Sequence, residues 1–154
     1  MEWVDALRGS VVAVDTAPLV YLIEENPRYL PHLRAFFDAV DKGHFRIVTS
    51  ILTLTEVLIH PLRQGNTQLA HEYRRILLHA NNVETLPVSA PIAEEAARLR
   101  AKHNLRTPDS IQIATAINAG ATSFLTNDIQ LAGPWIPNIL VLDRLLVVPQ
   151  RLNL

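Results

Sequence analysis

Cysteine is absent from this 154-residue chain. Its absence excludes a disulfide framework, zinc bound through thiolates and any cysteine nucleophile. A chain without cysteine fits a reducing compartment, so we expect a cytoplasmic protein. A chain of this length buries roughly 70% of its unfolded surface and needs no cross-links to form a core. We therefore predict a single domain over residues 1–154.

A long, uninterrupted apolar segment is also absent. The longest apolar run, Val11 to Ile23, is interrupted by Asp15 and Pro18. The chain carries Glu2 near its start, where a secretion signal would be basic. We predict neither a membrane span nor a secretion signal.

An excess of charge of either sign is lacking, because 14 basic and 15 acidic side chains give a net charge of −1. Taken alone, this balance argues weakly against binding to nucleic acid. If four of the acids surround a metal ion, however, 14 basic side chains face only 11 acidic ones and the remainder carries +3. A rim that attracts phosphate groups is then compatible with the composition.

Short apolar runs recur along the chain and alternate with amphipathic segments. The runs that predict strands are Val11–Val14, Phe45–Val48, Val83–Val88, Ser123–Leu125 and Ile139–Leu142. Parallel strands require crossover connections, and the segments between these runs have helical spacing. The sequence therefore predicts an α/β fold, a three-layer α/β/α sandwich with a central parallel sheet of about five strands.

The segment from Arg106 to Asp128 presents two carboxylates. Thr107 is predicted to cap a helix that has Pro108 in its first turn, an apolar stripe and a stop at Gly120. The predicted stripe consists of Ile111, Ala114 and Ile117. Asp109 then lies in the first helical turn and Asp128 just beyond the fourth strand. Ligand sites of open α/β sheets lie at such positions.

Two further acids are predicted to join them. Asp15 follows the first strand directly, and Glu56 lies inside a helix that Thr49 or Ser50 caps. Four ionised carboxylates in one crevice repel one another by roughly 4 kcal/mol per pair at 4 Å, so they require compensating cations or protonation, and a hard divalent metal is the natural solution. All-oxygen sites favour Mg²⁺ or Mn²⁺, which can activate water for phosphodiester hydrolysis. Thr16, Thr126 and Asn127 are candidates to orient the carboxylates or bound water.

Each acid also has an ordinary structural interpretation. Asp109 suits the positive end of a helix dipole, Asp128 suits a turn, and Glu56 suits a solvated helix face. The combination, rather than any single acid, favours a site. Lys102 and Arg106 precede the Asp109 helix and are candidates for RNA phosphate contacts, with a solvated helix end as the alternative. Asp143, after the fifth strand, is left outside the predicted site.

The chain resembles the PIN-domain family, in particular its VapC-type toxins. The matching pieces are VVAVDT (residues 11–16), TSILTLTEVL (49–58), RTPDSIQIATA (106–116) and FLTND (124–128). The resemblance implies an endoribonuclease dependent on Mg²⁺ or Mn²⁺ with Asp15, Glu56, Asp109 and Asp128 as its acidic site. It further implies Thr126 as a supporting hydroxyl, a homodimer and an antitoxin protein as partner. Thr107 departs from the family, which commonly has an apolar residue there.

Other functions remain open at this point. A phosphatase of the haloacid dehalogenase type would carry a second aspartate two residues after the first, where this chain has Ala17. A phospho-accepting receiver domain would have a lysine near the end of the last strand, where Asp143 and Arg144 stand. A catalytically silent PIN-like module that binds RNA or a partner would keep the fold without the reaction.

Overall fold

The centre of the protein is a parallel sheet. The computed structural model describes residues 1–134 and 137–146. Its strands are β1 (Val11–Val14), β2 (Arg46–Ser50), β3 (Val83–Leu86), β4 (Ser123–Thr126) and β5 (Asn138–Val141). They form one five-stranded sheet in the order β3-β2-β1-β4-β5, with every neighbouring pair parallel. The predicted third strand ends at Leu86 instead of Val88, next to Pro87, which has no N–H to donate.

Helices connect the strands and cover both faces of the sheet. In the described residues they are α1 (Glu2–Asp5), α2 (Thr16–Ile23), α3 (Leu30–Asp41), α4 (Ile51–Gln64), α5 (Thr67–His79), α6 (Ala90–Lys102), α7 (Thr107–Asn118) and α8 (Leu142–Leu145), with a 3₁₀ turn at Ile129–Leu131. No helix within residues 1–134 and 137–146 has both the length and the apolar character that a membrane crossing requires. The predicted α/β fold with a five-stranded parallel sheet is confirmed.

Successive residues of β1 point to opposite faces and into different cores. Val12 and Val14 pack in a cluster with Leu33 and Phe36 of α3. Ala13 packs on the other face in a cluster that includes Ile113 of α7. Both faces of the central strand are therefore buried, which accounts for its unbroken apolar sequence.

The strand order reverses between β1 and β4. β1 leads in sequence to β2 on one side, yet its other neighbour is β4, and the N–H of Asp15 continues this pairing to the carbonyl of Leu125 at 2.9 Å. A crevice opens at the carboxyl ends of strands where the order reverses. Asp15 and Thr126 lie at these two ends.

Two details of the helix ends differ from the predictions. The residue that caps α7 is Arg106, in an extended backbone conformation and without a capping side-chain bond, so Thr107 as the cap was wrong. The Thr107 hydroxyl instead accepts a hydrogen bond from Arg100. Pro61, predicted to end or kink α4, lies inside that helix, which ends at Gln64 where Gly65 adopts a φ of +64°. Glycine adopts this left-handed conformation without strain.

The predicted apolar stripe of α7 describes only part of its packing. Ala114 is buried against α6, but Ile117 is 38% exposed. Ile113 and Ala116, absent from the predicted stripe, are fully buried against the sheet. The helix is enclosed on two sides, so a single amphipathic stripe was too narrow a description of its core face.

Candidate active site

All four predicted acids line one cleft at the carboxyl ends of β1 and β4. The cleft has a volume of about 470 Å³ and is lined by Asp15, Thr16, Ala17, Val20, Tyr21, Glu56, Arg106, Pro108, Asp109, Gln112 and Asp128. A smaller apolar cavity lies beneath Asp15 and is enclosed mainly by core side chains. The larger, polar cleft is therefore the candidate active site.

Asp15 is held by donors that carry no charge. One carboxylate oxygen accepts the N–H of Thr16 at 2.8 Å as the cap of α2, and the other accepts the Thr126 hydroxyl at 2.8 Å. Burial raises the pKa of Asp15 above its usual range, and the nearby Asp109 and Glu56 carboxylates add to the rise. The hydrogen bonds from Thr126 and Thr16 oppose it. The site thus fixes this carboxylate firmly while leaving its charge incompletely compensated.

Thr126 links Asp15 to the segment that carries Asp128. Its side-chain oxygen donates to Asp15 and accepts the N–H of Asp128 at 3.1 Å. The Asp128 carboxylate in turn accepts the N–H of Gln130 at 3.0 Å and caps the 3₁₀ turn. Thr126 is fully buried, so this one oxygen sets the relative positions of the two acidic segments.

Glu56 projects from α4 toward the first turn of α2. Its carboxylate accepts the Thr16 hydroxyl at 2.7 Å. Thr16, a predicted supporting residue, donates its backbone N–H to Asp15 and its hydroxyl to Glu56. A single residue at the start of α2 therefore orients two of the four acids.

A buried polar network beneath the cleft escaped the sequence prediction. The Thr49 hydroxyl donates to the carbonyl of Val14 at 2.8 Å, so its contact of 2.9 Å with Thr53 requires Thr53 to be the donor. Because the Thr53 hydroxyl proton is used in that bond, the Thr53 oxygen acts as the acceptor for the Gln112 amide at 2.8 Å. The orientation of the Gln112 amide follows from this proton order.

The signal for this network was present as spacing. Thr53 lies three residues before Glu56, and Gln112 lies three residues after Asp109, which places each pair on one helix face. Thr53 is 1% exposed and Gln112 is 4% exposed. Polar side chains so deeply buried require partners, and they bind each other across the junction of α4 and α7.

Asp109 is held by a cation. Arg106 donates through Nε to the Asp109 carboxylate at 3.1 Å, with 77% of the arginine side chain exposed and 15% of the aspartate side chain. Asp109 raises the pKa of Arg106, and Asp128 and Glu56 contribute further. Arg106 therefore lies within the field of three of the acids. Lys102, the other predicted RNA contact, lines a separate cleft with Arg98 and Ile117.

Asn127 has partners other than those predicted. Its amide donates to the hydroxyls of Tyr29 at 3.1 Å and Tyr21 at 3.3 Å, and its carbonyl oxygen accepts the N–H of Asp143 at 3.0 Å. The Tyr29 hydroxyl donates to the Asp143 carboxylate at 2.7 Å, which also pairs with Arg28 at 3.2 Å. Asn127 thus connects the Asp128 segment to α8 and to two tyrosines, and its side chain orients none of the four acids.

The donor set suits a hard divalent cation. The acids that line the cleft offer carboxylate oxygens, and no histidine lines it. Within residues 1–134 and 137–146, no three acidic or histidine side chains lie close enough together to hold one ion in common. The predicted trio of Asp15, Asp109 and Asp128 is therefore not assembled around one point. Mg²⁺ commonly binds through one or two carboxylates and retains water, so the donor chemistry fits this ion.

Solved structures of similar fold include toxins and their complexes. A toxin–antitoxin complex from Klebsiella pneumoniae contains a chain that is 21% identical, with a TM-score of 0.64 over 85% of this chain and 97% of that one. VapBC2 from Rickettsia felis, bound to a DNA fragment from its promoter, gives 19% identity and a TM-score of 0.62 over 78% and 89%. VapC20 from Mycobacterium tuberculosis, described as a toxin that cleaves the sarcin–ricin loop, gives 19% and 0.63 over 79% and 95%. These similarities establish the fold.

A family assignment comes from the sequence comparison. No curated protein matches the chain. Residues 12–133, however, match the PIN domain family. This range contains all four acids that line the cleft, the whole of β2, β3 and β4, and residues 12–14 of β1. Because the match covers most of the chain, the protein belongs to the PIN-domain family.

Proposed function

We propose that this protein is a divalent-metal-dependent endoribonuclease and the toxin of a type II toxin–antitoxin pair of the VapC type. The observation that carries the proposal is the cleft of a PIN domain lined by Asp15, Glu56, Asp109 and Asp128 at the reversal of strand order. A receiver domain would need a lysine near the end of the last strand, where this chain has Asp143 and Arg144, and no lysine lines the cleft. A dehalogenase-type phosphatase would need an aspartate at position 17, which is Ala17.

The proposed division of labour follows from how each acid is held. The proposed cation ligands are Asp15, Asp109 and Asp128, of which one or two at a time would hold Mg²⁺ or Mn²⁺ while water completes the coordination. When bound, the cation would polarise water and offset the charge of a phosphodiester during in-line displacement. Glu56, oriented by the Thr16 hydroxyl at 2.7 Å, is exposed to the cleft and accepts a proton from the attacking water. The water oxygen bonds to phosphorus as the bond to the leaving ribose oxygen breaks, and that oxygen takes a proton from solvent in the open cleft.

RNA is the proposed substrate, in single-stranded or loop form. An exposed backbone permits the in-line geometry that a paired strand would hinder, and the cleft is open rather than a deep pocket for a small ligand. One of the similar structures belongs to a toxin described as cleaving an RNA loop. Arg106, at the cleft, is the proposed contact to an RNA phosphate. Lys102 lines the neighbouring cleft and is proposed to contact a phosphate farther along the same RNA chain.

The proposed partners are a small antitoxin protein and a second copy of this chain in a homodimer, acting in the cytoplasm. Two of the similar structures are toxin–antitoxin assemblies, which supports an antitoxin. A growth assay tests this part. Expression of the wild type should slow a host cell, Asp109→Asn should not, and co-expression of the neighbouring small gene product should restore growth. Equal harmlessness of the wild type and the variant would remove the toxin assignment.

A cleavage assay tests the enzymatic part. Single-stranded and hairpin RNAs are incubated with the protein and Mg²⁺ or Mn²⁺, with and without a chelator, alongside Asp15→Asn and Asp109→Asn. A matched control is Asp38→Asn, which removes a surface carboxylate paired with Lys42 at 2.8 Å outside the cleft. Cleavage should require the metal and both cleft aspartates, and the control should retain it. RNA binding without cleavage under any condition would favour the catalytically silent module instead.

A further inference from the structure

Arg106 is the basic side chain that lines the acidic cleft and pairs with one of its acids. Its Nε lies 3.1 Å from a carboxylate oxygen of Asp109, and its charge also interacts with Asp128 and Glu56. Arginine remains charged at every physiological pH. The repulsion among the acids is therefore partly offset by the chain itself.

The backbone of Arg106 belongs to the start of α7, whereas its side chain is largely exposed. The residue caps α7, and its carbonyl accepts the N–H of Ser110 at 3.0 Å. Its side chain is 77% exposed, so the ion pair with Asp109 is largely solvated and weak. A divalent cation that binds Asp109 has twice the charge and repels the guanidinium. The side chain can then turn outward about a fixed backbone without any change in the fold.

We propose that Arg106 is an exchangeable counter-ion, which neutralises Asp109 while no divalent cation is bound and transfers to a phosphate of the RNA when one is. The proposal rests on the function proposed above and specifies how the site admits its metal and substrate in order. The fork of donors on the guanidinium suits a phosphate as well as it suits a carboxylate. The guanidinium thus exchanges its partner, from the Asp109 carboxylate to a phosphate of the RNA.

Neighbouring basic residues serve as references for this role. Arg100 is engaged with the Thr107 hydroxyl, and Lys102 lines the separate cleft on the far side of α6. Lys102→Gln therefore removes the same charge from the same part of the chain without altering the acidic cleft. Arg106→Lys keeps the charge but removes the fork.

The first measurement is Mn²⁺ binding by calorimetry to the full chain without RNA. Arg106→Gln should bind Mn²⁺ about two- to fivefold more tightly than the wild type, because a competing exposed charge is removed. Arg106→Lys should remain near the wild type, and Lys102→Gln should not change. Added salt should reduce the difference between the wild type and Arg106→Gln.

The second measurement is the binding of a short single-stranded DNA, a phosphate-backbone probe, by fluorescence anisotropy. With Mn²⁺ present, Arg106→Gln should bind the probe more weakly, and its salt dependence should lose about 0.7 of a logarithmic unit per logarithm of salt. Without Mn²⁺, when the wild-type arginine is bound to Asp109, the two proteins should bind the probe alike. A variant with a damaged fold would bind both Mn²⁺ and the probe more weakly. Loss of an exchangeable counter-ion should instead strengthen Mn²⁺ binding and weaken probe binding.

The outcomes separate this inference from the proposed function. If Mn²⁺ binds the wild type and Arg106→Gln with equal affinity, or binds the variant more weakly, the counter-ion role is overturned and the nuclease assignment survives. If the probe binds the variant and the wild type equally in Mn²⁺, the transfer to phosphate is overturned. If no protein binds Mn²⁺, the metal-dependent function fails and this inference fails with it.

Discussion

The two walls of the acidic cleft hold their carboxylates by different means. On the strand side, Asp15 is bound by the Thr16 N–H and the Thr126 hydroxyl, both neutral and neither able to leave without disturbing α2 or β4. On the α7 side, Asp109 is bound by the exposed guanidinium of Arg106. The Asp15 carboxylate is held by groups of the fold and its charge is incompletely compensated, whereas the Asp109 carboxylate is compensated by a group that we propose to be exchangeable. Position and charge compensation are thus supplied by different parts of the site.

The largest effect on RNA cleavage is expected from replacing either aspartate. Asp15→Asn and Asp109→Asn should each lower RNA cleavage by about 10²–10³-fold, the scale of removing one group that stabilises transition-state charge. Their thermal stabilities should differ, however. Asp15→Asn should melt at a higher temperature at pH 7, because it removes a buried, repelled charge, while Asp109→Asn should gain less, because Arg106 already compensates that charge. Cleavage rates and melting curves of both variants measure the contrast, and a larger gain for Asp109→Asn would contradict it.

Removing the oxygen that joins the strand ends should have the next largest effect. Thr126→Val deletes the donor to Asp15 and the acceptor for the Asp128 N–H while it keeps the shape of the side chain. Activity should fall by about 10- to 100-fold, as for other groups that orient metal ligands. Thr126→Ser should retain most of the activity, and a Thr126→Val enzyme as active as the wild type would show that the link is unnecessary.

The buried network of Thr49, Thr53 and Gln112 should affect the free energy of unfolding more than the rate of RNA cleavage. Gln112→Leu leaves the buried Thr53 oxygen without its donor, at a cost of about 1–3 kcal/mol in the free energy of unfolding. Urea denaturation measures this loss. The control is Gln130→Leu, because Gln130 is exposed and contributes only its backbone N–H to Asp128. Equal losses in the two variants would argue against the proton order deduced for the network.

The smallest effect concerns pH. The pKa of Asp15 is raised in the folded protein above its usual value of 3.8, so the folded state binds a proton more tightly than the unfolded state. Folding stability attributable to this group therefore falls as pH rises from about the unfolded value through the raised folded value, and it is constant above that. The difference in melting temperature between Asp15→Asn and the wild type should accordingly shrink on acidification. Melting curves from pH 7 down to pH 4 test this sign, and a difference that grows on acidification would reverse it.

The sequence was sufficient for what depends on local pattern. β1 has the predicted bounds, and Asp15, Asp109 and Asp128 lie at the predicted strand ends and helix turn, because apolar runs, prolines and glycines determine such positions over a few residues. These features brought the four acids to one cleft. The direct-ligand roles of Asp15, Asp109 and Asp128 stay predictions.

What could not be predicted depends on how elements rotate against each other. Thr53 and Gln112 are 59 residues apart in the chain, and their bond exists only because α4 and α7 meet at one angle. Asn127 was assigned to the acids because it lies between Thr126 and Asp128, yet its side chain points to two tyrosines. Neighbouring positions at a strand end face opposite sides, so sequence adjacency gave the wrong partner.

The partners of Asn127 have a consequence for the order in which the protein opens. The segment after β4 carries an acid of the cleft, and Asn127 fastens it to the Asp143 N–H at the start of α8 and to Tyr29 ahead of α3. Local unfolding proceeds in cooperative units defined by such contacts. Release of α8 from the sheet removes the donor to the Asn127 carbonyl oxygen and the acceptor of the Tyr29 hydroxyl, so we expect amide protons of α8 and of the segment after β4 to exchange with solvent at a common rate. Amide exchange in α8, near the end of the described residues, should therefore report on the local unfolding of the segment that carries Asp128.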